Sequence, residues 1–433
     1  MKMMMKVELV SRETIKPSSP TPPHLKTFNL SLVDQFTADI YIPFILFYSP
    51  NQHTNDQNTL LDQLMKSLSE TLTLYYPLAG ILKDNNKIIC DDSGIEILHA
   101  RIGCHLSDVL NHSEPQHLVQ FVPYTVHQHN EKTLLVVKFN VFECGGIAIG
   151  VCVSHKAMDS TGLCAFLTTW ASINAQGGLA EEVPEDMRPK FDIATCFPAK
   201  AVPSAMHVLK TKGKIVTKRY IFDASMIASL RSKATSTTIA NNPNSKGPSR
   251  VLSVIALLWK VGMAVDRHKH GLTPRTSYMA VAASMRSKID LPMPYLSFGN
   301  LVVIAPAIAY NQNDNLLEKL GQAVRKVDRD FVTKLQSGNE YLEYMMYLAG
   351  GEQQFLRGEA GRYAVTSWCR FPFYEIDFGW GKPIWANVPS FEDKNFLILM
   401  DTKVGEGIEA WVSLDEEDMA IFESQPEIQA FFN

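Results

Sequence analysis

Ser154-His155-Lys156-Ala157-Met158-Asp159-Ser160-Thr161-Gly162 stands between two apolar patterns of different period. Ahead of it, Ile147 to Val153 is a continuous apolar run and reads as a buried strand. Behind it, Leu163, Phe166, Leu167 and Trp170 recur at helical spacing. His155 and Asp159 therefore fall at a strand-to-helix junction, where a rigid backbone can hold a side chain open to a cleft. An imidazole there titrates near neutral pH and can take a proton from a hydroxyl or thiol. A carboxylate four residues on can orient a neighbouring group or bind the other ring nitrogen. Taken alone, the pair is equally a structural His and Asp at a turn, or chance. A metal reading fails for want of ligands: Cys152, three strand positions before His155, should face the other side.

A second landmark is Asp377-Phe378-Gly379-Trp380-Gly381-Lys382-Pro383, a Gly-punctuated turn that carries a carboxylate and an indole. Together the two stretches resemble the BAHD acyltransferases, which move acyl groups from coenzyme A to alcohols and amines. That family carries HxxxD near mid-chain and DFGWG near the C-terminus. Both match here in full, in order and separation, at His155/Asp159 and at Asp377 to Gly381. The resemblance covers nearly the whole chain. It includes Leu30-Ser31-Leu32-Val33-Asp34 and Tyr75-Tyr76-Pro77-Leu78-Ala79-Gly80. Phe142-Glu143-Cys144-Gly145-Gly146 and Ser367-Trp368-Cys369-Arg370 look most like the alkaloid-acetylating branch.

Composition sets outer bounds. The chain has 433 residues, 46% hydrophobic and 20% charged, with net charge −4. That is ordinary for a soluble globular protein and gives a nucleic-acid role no global electrostatic support. Seven cysteines, widely spaced and without Cys-x-x-Cys, read as reduced thiols in a cytosolic protein. Met1 to Glu8 is too short and too charged for a signal-peptide core, and no apolar run reaches membrane-spanning length. The expectation is a soluble, cytoplasmic chain with no membrane partner and no metal.

Strands and helices mix without regular alternation, which predicts an α/β (α+β) protein with mixed sheets. Ile40 to Tyr48 reads as a buried strand, and 58–75 as an amphipathic helix stopped by Pro77. Asn51 to Asn58 reads as a polar loop, and His127 and His129 as surface residues in another. Two hairpins are predicted, one over Lys87 to Leu98 around Asp91-Asp92-Ser93-Gly94, the other joining Leu134–Phe142 to Ile147–Ser154. Residues 176–206 lose periodicity and gather Gly and Pro, which predicts a crossover and a domain boundary near 205. The expected domains are thus 1–205, carrying His155, and 206–433, carrying Asp377. Beyond the boundary, Lys214 to Phe222 is a strand, Ala224 to Thr235 a helix, and Thr235 to Pro248 a flexible loop. Val251 to Val265 is a buried helix with Ser249 as its N-cap. Tyr278 to Ser284 is a strand, and Leu316 to Leu335 a covering helix. Phe371 to Phe378 is a strand delivering Asp377, and Phe396 to Met400 pairs with Gly407 to Leu414.

The resemblance implies more. It implies two chloramphenicol-acetyltransferase-like halves with a channel between them and His155 at its middle. His155 is the general base: it takes the acceptor's proton as oxygen attacks the thioester, then returns it to the leaving thiolate, in a ternary complex with no acyl-enzyme. Asp159 points away from the substrate and pairs with Arg286, a contact suited to a planar guanidinium. The family shows Asn and Arg where this chain has Ser284 and Lys288, which puts the hydrogen bonding around Arg286 in question. Asp377 is carried as a catalytic candidate, although two glycines and flanking aromatics favour a structural turn. Trp380 is an oxyanion donor or core filling, and Gly162 a structural or oxyanion position. Coenzyme A is expected along the second domain, at Ser249, Arg250 and Ser253, where a helix start meets a basic residue. The implied activity is acetyl transfer from acetyl-CoA, a co-substrate rather than a tightly bound cofactor, to a hydroxyl of a plant monoterpene indole alkaloid, by a monomer. Nothing charged stands out as a malonate clamp. Malonyl or aroyl transfer to another alcohol or amine, and a non-catalytic binding relative, are the alternatives. A hydrolase lacks its Gly-x-Ser-x-Gly elbow.

Overall fold

A computed structural model describes residues 5–50, 57–112, 114–124, 133–201, 213–238, 247–271, 275–311 and 313–432. The chain divides into two compact units. The first comprises 1–209, 290–301 and 371–390; the second comprises 210–289, 302–370 and 391–433.

The first unit is built on a six-stranded mixed sheet. Its order is Val7–Ile15, Ile95–Ile102, Leu135–Phe142, Ile147–Ser154, Tyr41–Tyr48 and Trp385–Asn387. Only the Ile95–Ile102/Leu135–Phe142 pair is parallel. Every residue of Tyr41–Tyr48 and Ile147–Ser154 is buried, which explains why both read as unbroken apolar runs rather than alternating ones. The helices Gln57–Leu74 and Ser160–Gln176 pack together. Between them the Trp170 indole donates to Ser67 Oγ at 3.0 Å, and Ser67 Oγ donates to Asn174 Oδ1 at 2.8 Å. A small three-stranded sheet of Thr27–Asn29, Lys87–Ile89 and Ile81–Lys83 completes the unit.

The second unit holds another six-stranded mixed sheet. Its order is Val302–Ala309, Thr276–Ser284, Ala360–Ser367, Phe396–Asp401, Ile408–Asp415 and Ile215–Phe222. The Arg250–His270 helix lies on it. Trp259 donates to Ser277 Oγ at 2.9 Å, and Tyr363 to the Gly262 carbonyl at 2.7 Å. Gly262 is required by that approach, because a Cβ there would stand 2.7 Å from the Tyr363 ring.

Several expectations are corrected. Lys87 to Leu98 is not a hairpin: Lys87–Ile89 pairs in the small sheet and Ile95–Ile102 in the large one. The intervening residues cross between sheets. Asp92, at φ +60°, accepts from Thr21 and from Lys26 at 2.6 Å, and Gly94 N–H donates to Ala79 at 3.0 Å. A tight turn has the same residue chemistry whether its strands pair or part. Leu316 to Leu335 is two helices, Leu316–Lys326 and Arg329–Leu335, because the Asp328 carboxylate caps the second through Phe331 N–H at 2.8 Å. Phe371 to Phe378 is no strand but a 3₁₀ turn, Phe373–Glu375, after Pro372. The helix Asn339–Leu356 was not foreseen. A single cut at 205 assigns the Asp377 turn to the C-terminal half, whereas it lies in the first unit, since Trp385–Asn387 pairs with Tyr41–Tyr48. Residue 205 itself, His127, His129, most of the Asn51 loop and the centre of the loop before Pro248 lie outside the described residues.

The other hairpin forms as expected, from Leu135↔Val153 to Val141↔Ile147, with Gly145 at φ +80° in its turn. The helix at 58–75 forms as Gln57–Leu74.

Candidate active site

The Ile147–Ser154 strand ends at a fixed point. Ser154 N–H donates to Leu134 O and His155 N–H to Ile40 O, both at 2.8 Å. A turn follows, closed by Ala157 N–H to Ser154 O at 2.9 Å. Asp159 then starts the Ser160–Gln176 helix as its N-cap, with Oδ1 accepting from Gly162 N–H at 2.9 Å. The free N–H groups of a first helical turn need such an acceptor. Asp159 Oδ2 accepts from Leu301 N–H at 3.0 Å, so one buried carboxylate ties the helix start to the 290–301 segment.

Asn300 occupies the centre of that segment. Its amide nitrogen donates to the His155 carbonyl at 2.8 Å and to Asp34 Oδ1 at 2.8 Å. Its backbone N–H also reaches Asp34 Oδ1, at 2.7 Å. The other Asp34 oxygen accepts from Ser31 N–H at 2.8 Å and Ser31 Oγ at 2.6 Å. Asp34, Asn300, Ser31 and Lys156 are all buried. Burial pushes the Asp34 carboxyl up to about 6, against the pull of its Ser31 and Asn300 donors. Lys156 Nζ donates to the Gln35 carbonyl at 2.9 Å and the Asp34 carbonyl at 3.3 Å, and burial pushes that amine down to about 8.

His155 is half-buried, and its Nδ1 is shielded from solvent and accepts or donates no hydrogen bond to another residue among the described ones. Burial holds the imidazole below its ordinary 6.5, and its own backbone, the Asp159 carboxylate and the Asn300 amide push the other way. A neutral imidazole at neutral pH is what a general base requires.

The structure thus brings His155, Asp159 and Gly162 together and adds Asn300, Asp34 and Ser31, which sequence reasoning did not single out as site residues. A signal for two of them existed. Ser31-x-x-Asp34 is a capping-box spacing, and the box forms at the Leu32–Phe36 helix. The Gly162 N–H is engaged by Asp159, and a Cβ there would lie 2.9 Å from Met158 Cβ.

Asp377 and Trp380 lie elsewhere. Asp377 Oδ1 accepts from Gly379 N–H at 2.7 Å and Gly381 N–H at 2.9 Å, which folds the turn on itself. Phe378 stacks with Trp380 at 5.5 Å, meets Trp170 edge-on at 4.9 Å, and accepts from Asn174 Nδ2 through its carbonyl at 2.6 Å. Gly379, at φ +97°, sits in backbone that favours glycine, and a Cβ there would press to 3.1 Å from Ala175 Cα. The turn therefore sits at the C-terminal end of the helix that Asp159 caps. At about 1.5 Å per residue, Asp159 and Asn174 are separated by about 22 Å. Asp377 closes its own turn, and Trp380, seated against Tyr48 at 6.1 Å, lies in the same far cluster.

In the second unit, Ser249, Arg250 and Ser253 share one helix start. Ser249 holds the N-cap position without a side-chain cap. Arg250 pairs with Asp401 and donates to the Glu406 carbonyl at 2.9 Å, and Ser253 Oγ turns inward to Ser249 O at 2.9 Å. Arg286 is fully buried at the end of Thr276–Ser284, its N–H on Ser284 Oγ at 3.2 Å. Among the described residues no cluster of His, Cys, Asp and Glu is placed to hold a metal, and no helix is long and apolar enough to cross a membrane.

The family profile described as "Transferase family" matches residues 5–429. The chain belongs to this family, the BAHD acyltransferases. It is accordingly an acyl-CoA-dependent O-acetyltransferase. It is 35% identical to stemmadenine O-acetyltransferase of Catharanthus roseus, over 96% of both chains. It is 36% identical to limonoid 7-O-acetyltransferase of Citrus sinensis, over 98% of both. It is 36% identical to vinorine synthase of Rauvolfia serpentina over 96% of both chains. The crystal structure of vinorine synthase superposes with a TM-score of 0.84 at 34% identity, covering 98% of each chain. The mixed α/β architecture is the BAHD fold.

Proposed function

We propose that this enzyme acetylates a hydroxyl of a monoterpene indole alkaloid, with His155 as general base in a ternary complex. The observation that carries the reading is the state of His155. It is a half-buried imidazole, held neutral by burial, on a peptide fixed at both its N–H and its carbonyl. In the transfer, Nε2 takes the acceptor's hydroxyl proton as the oxygen attacks the thioester carbon. The tetrahedral intermediate collapses, the C–S bond breaks, and the imidazolium returns its proton to the coenzyme A thiolate. The products are the acetyl ester and free coenzyme A, and the base is regenerated. General-base assistance contributes about 10²–10⁴-fold, with positioning supplying much of the remainder. Asp159 holds the loop rather than the ring. The phosphates of coenzyme A are read onto the Ser249–Arg250 helix start, and Ser253 supports it from within. A cytosolic monomer with no tightly held cofactor is part of the same reading.

The stemmadenine relative and the structural likeness to vinorine synthase support this acceptor class. A second reading, a limonoid alcohol, is favoured by the 36% identity to the Citrus enzyme over 98% of both chains. The deciding experiment is mass spectrometry of products from acetyl-CoA with hydroxylated indole alkaloids, limonoid alcohols and simple alcohols, beside malonyl-CoA as donor. An acetylated alkaloid made by wild type and absent with His155→Ala supports the proposal. Turnover confined to limonoids, or to malonyl-CoA, overturns the acceptor or donor while retaining the base.

A further inference from the structure

Asn300 makes an arrangement whose direction is forced. Its side-chain nitrogen lies 2.8 Å from Asp34 Oδ1 and 2.8 Å from the His155 carbonyl. A carboxylate and a carbonyl only accept, so the amide must present its NH₂ to both, and the alternative flip would set oxygen against oxygen. The Asn300 Oδ1 is thereby turned away from Asp34. It is shielded from solvent and unpartnered among the described residues, as is His155 Nδ1 on the neighbouring side chain. Neither group is hydrogen-bonded among the described residues, and a bond between them would satisfy both at once, where each left unsatisfied costs about 1–3 kcal/mol. The residue's own backbone, the Asp159 carboxylate and the Asn300 amide each favour a proton on the His155 ring.

We propose that Asp34 is a positioning residue for acyl transfer: by fixing the flip of the Asn300 amide, it places the His155 ring proton on Nδ1 and leaves Nε2 as the free base. This rests on the reading of His155 as the base. Asp34 never touches the reacting atoms. Its own orientation is over-determined, because Ser31 N–H and Oγ hold the second oxygen at 2.8 and 2.6 Å. The charged groups facing this cluster are Lys156 on the Asp34 and Gln35 carbonyls, Asp39 beside Lys156, Asp159 and His155. Asp34→Asn keeps the shape but replaces one acceptor by a donor, which removes the demand on the Asn300 flip.

The test compares wild type, Asp34→Asn, Ser31→Ala and His155→Ala with acetyl-CoA and an accepted alcohol, recording kcat and KM separately. It adds nitrogen-15 NMR of histidine-labelled protein to read the His155 tautomer. The expected result for Asp34→Asn is a kcat lower by about 10- to 100-fold with KM for acetyl-CoA within about twofold, and a tautomer mixture in place of one Nδ1–H form. Ser31→Ala removes one donor, keeps the fold, and should show the same change in smaller degree, so the proposal stays testable where Asp34→Asn folds poorly. A folded Asp34→Asn or Ser31→Ala enzyme with wild-type kcat and one Nδ1–H tautomer overturns the role of Asp34. Full turnover by His155→Ala instead overturns the base assignment beneath it.

Discussion

The two ends of the Ser160–Gln176 helix carry the two landmark motifs, and at each end a carboxylate organises backbone N–H groups. At the start, Asp159 accepts from Gly162 and Leu301; at the finish, Asp377 accepts from Gly379 and Gly381. The difference lies in what each turn displays. The first holds out an imidazole whose peptide is clamped on both sides and whose pKa is depressed. The second turns aromatic rings inward, onto Trp170 and Tyr48. Two carboxylates with the same local job can thus sit in quite different surroundings.

The largest expected effect separates the ends. His155→Ala should lower kcat by about 10²–10⁴-fold, read in steady-state acetyl transfer. Asp159→Ala should follow. It strips the N-cap and the acceptor for Leu301 N–H, lowering unfolding free energy by about 1–3 kcal/mol in denaturant titration. Displacement of the His155 loop should also reduce kcat by about 10- to 100-fold. A smaller effect is the acid limb of the pH–rate profile. Because the folded His155 pKa lies below 6.5, kcat should be flat at pH 7 and fall only below that value. The sign for stability agrees. The unfolded imidazole binds its proton first, so the fold loses this contribution as pH drops through 6.5. A limb centred above 6.5 would assign the base elsewhere. Least should be Asp377→Ala, with a stability loss of about 1 kcal/mol and kcat per folded molecule within about twofold.

The sequence carried the junction at His155 and the buried strand before it, because a full turn of apolar periodicity changes there from continuous to helical. It carried the fold through its family motifs. It did not carry Asn300 or Asp34 as partners of His155. Those two residues lie 145 positions after His155 and 121 before it, and only the register of the 290–301 segment brings them together. Nor did local chemistry reveal that Asp91 to Gly94 crosses between sheets, since partner strands are chosen by long-range burial. Pro372 and Asp328 each broke an element that apolar spacing alone made continuous.

The most direct test is single-turnover acetyl transfer by His155→Ala and Asp377→Ala side by side, each normalised to folded protein. The account predicts a loss of at least about 100-fold for the first and under about twofold for the second. Comparable losses at both positions would contradict it.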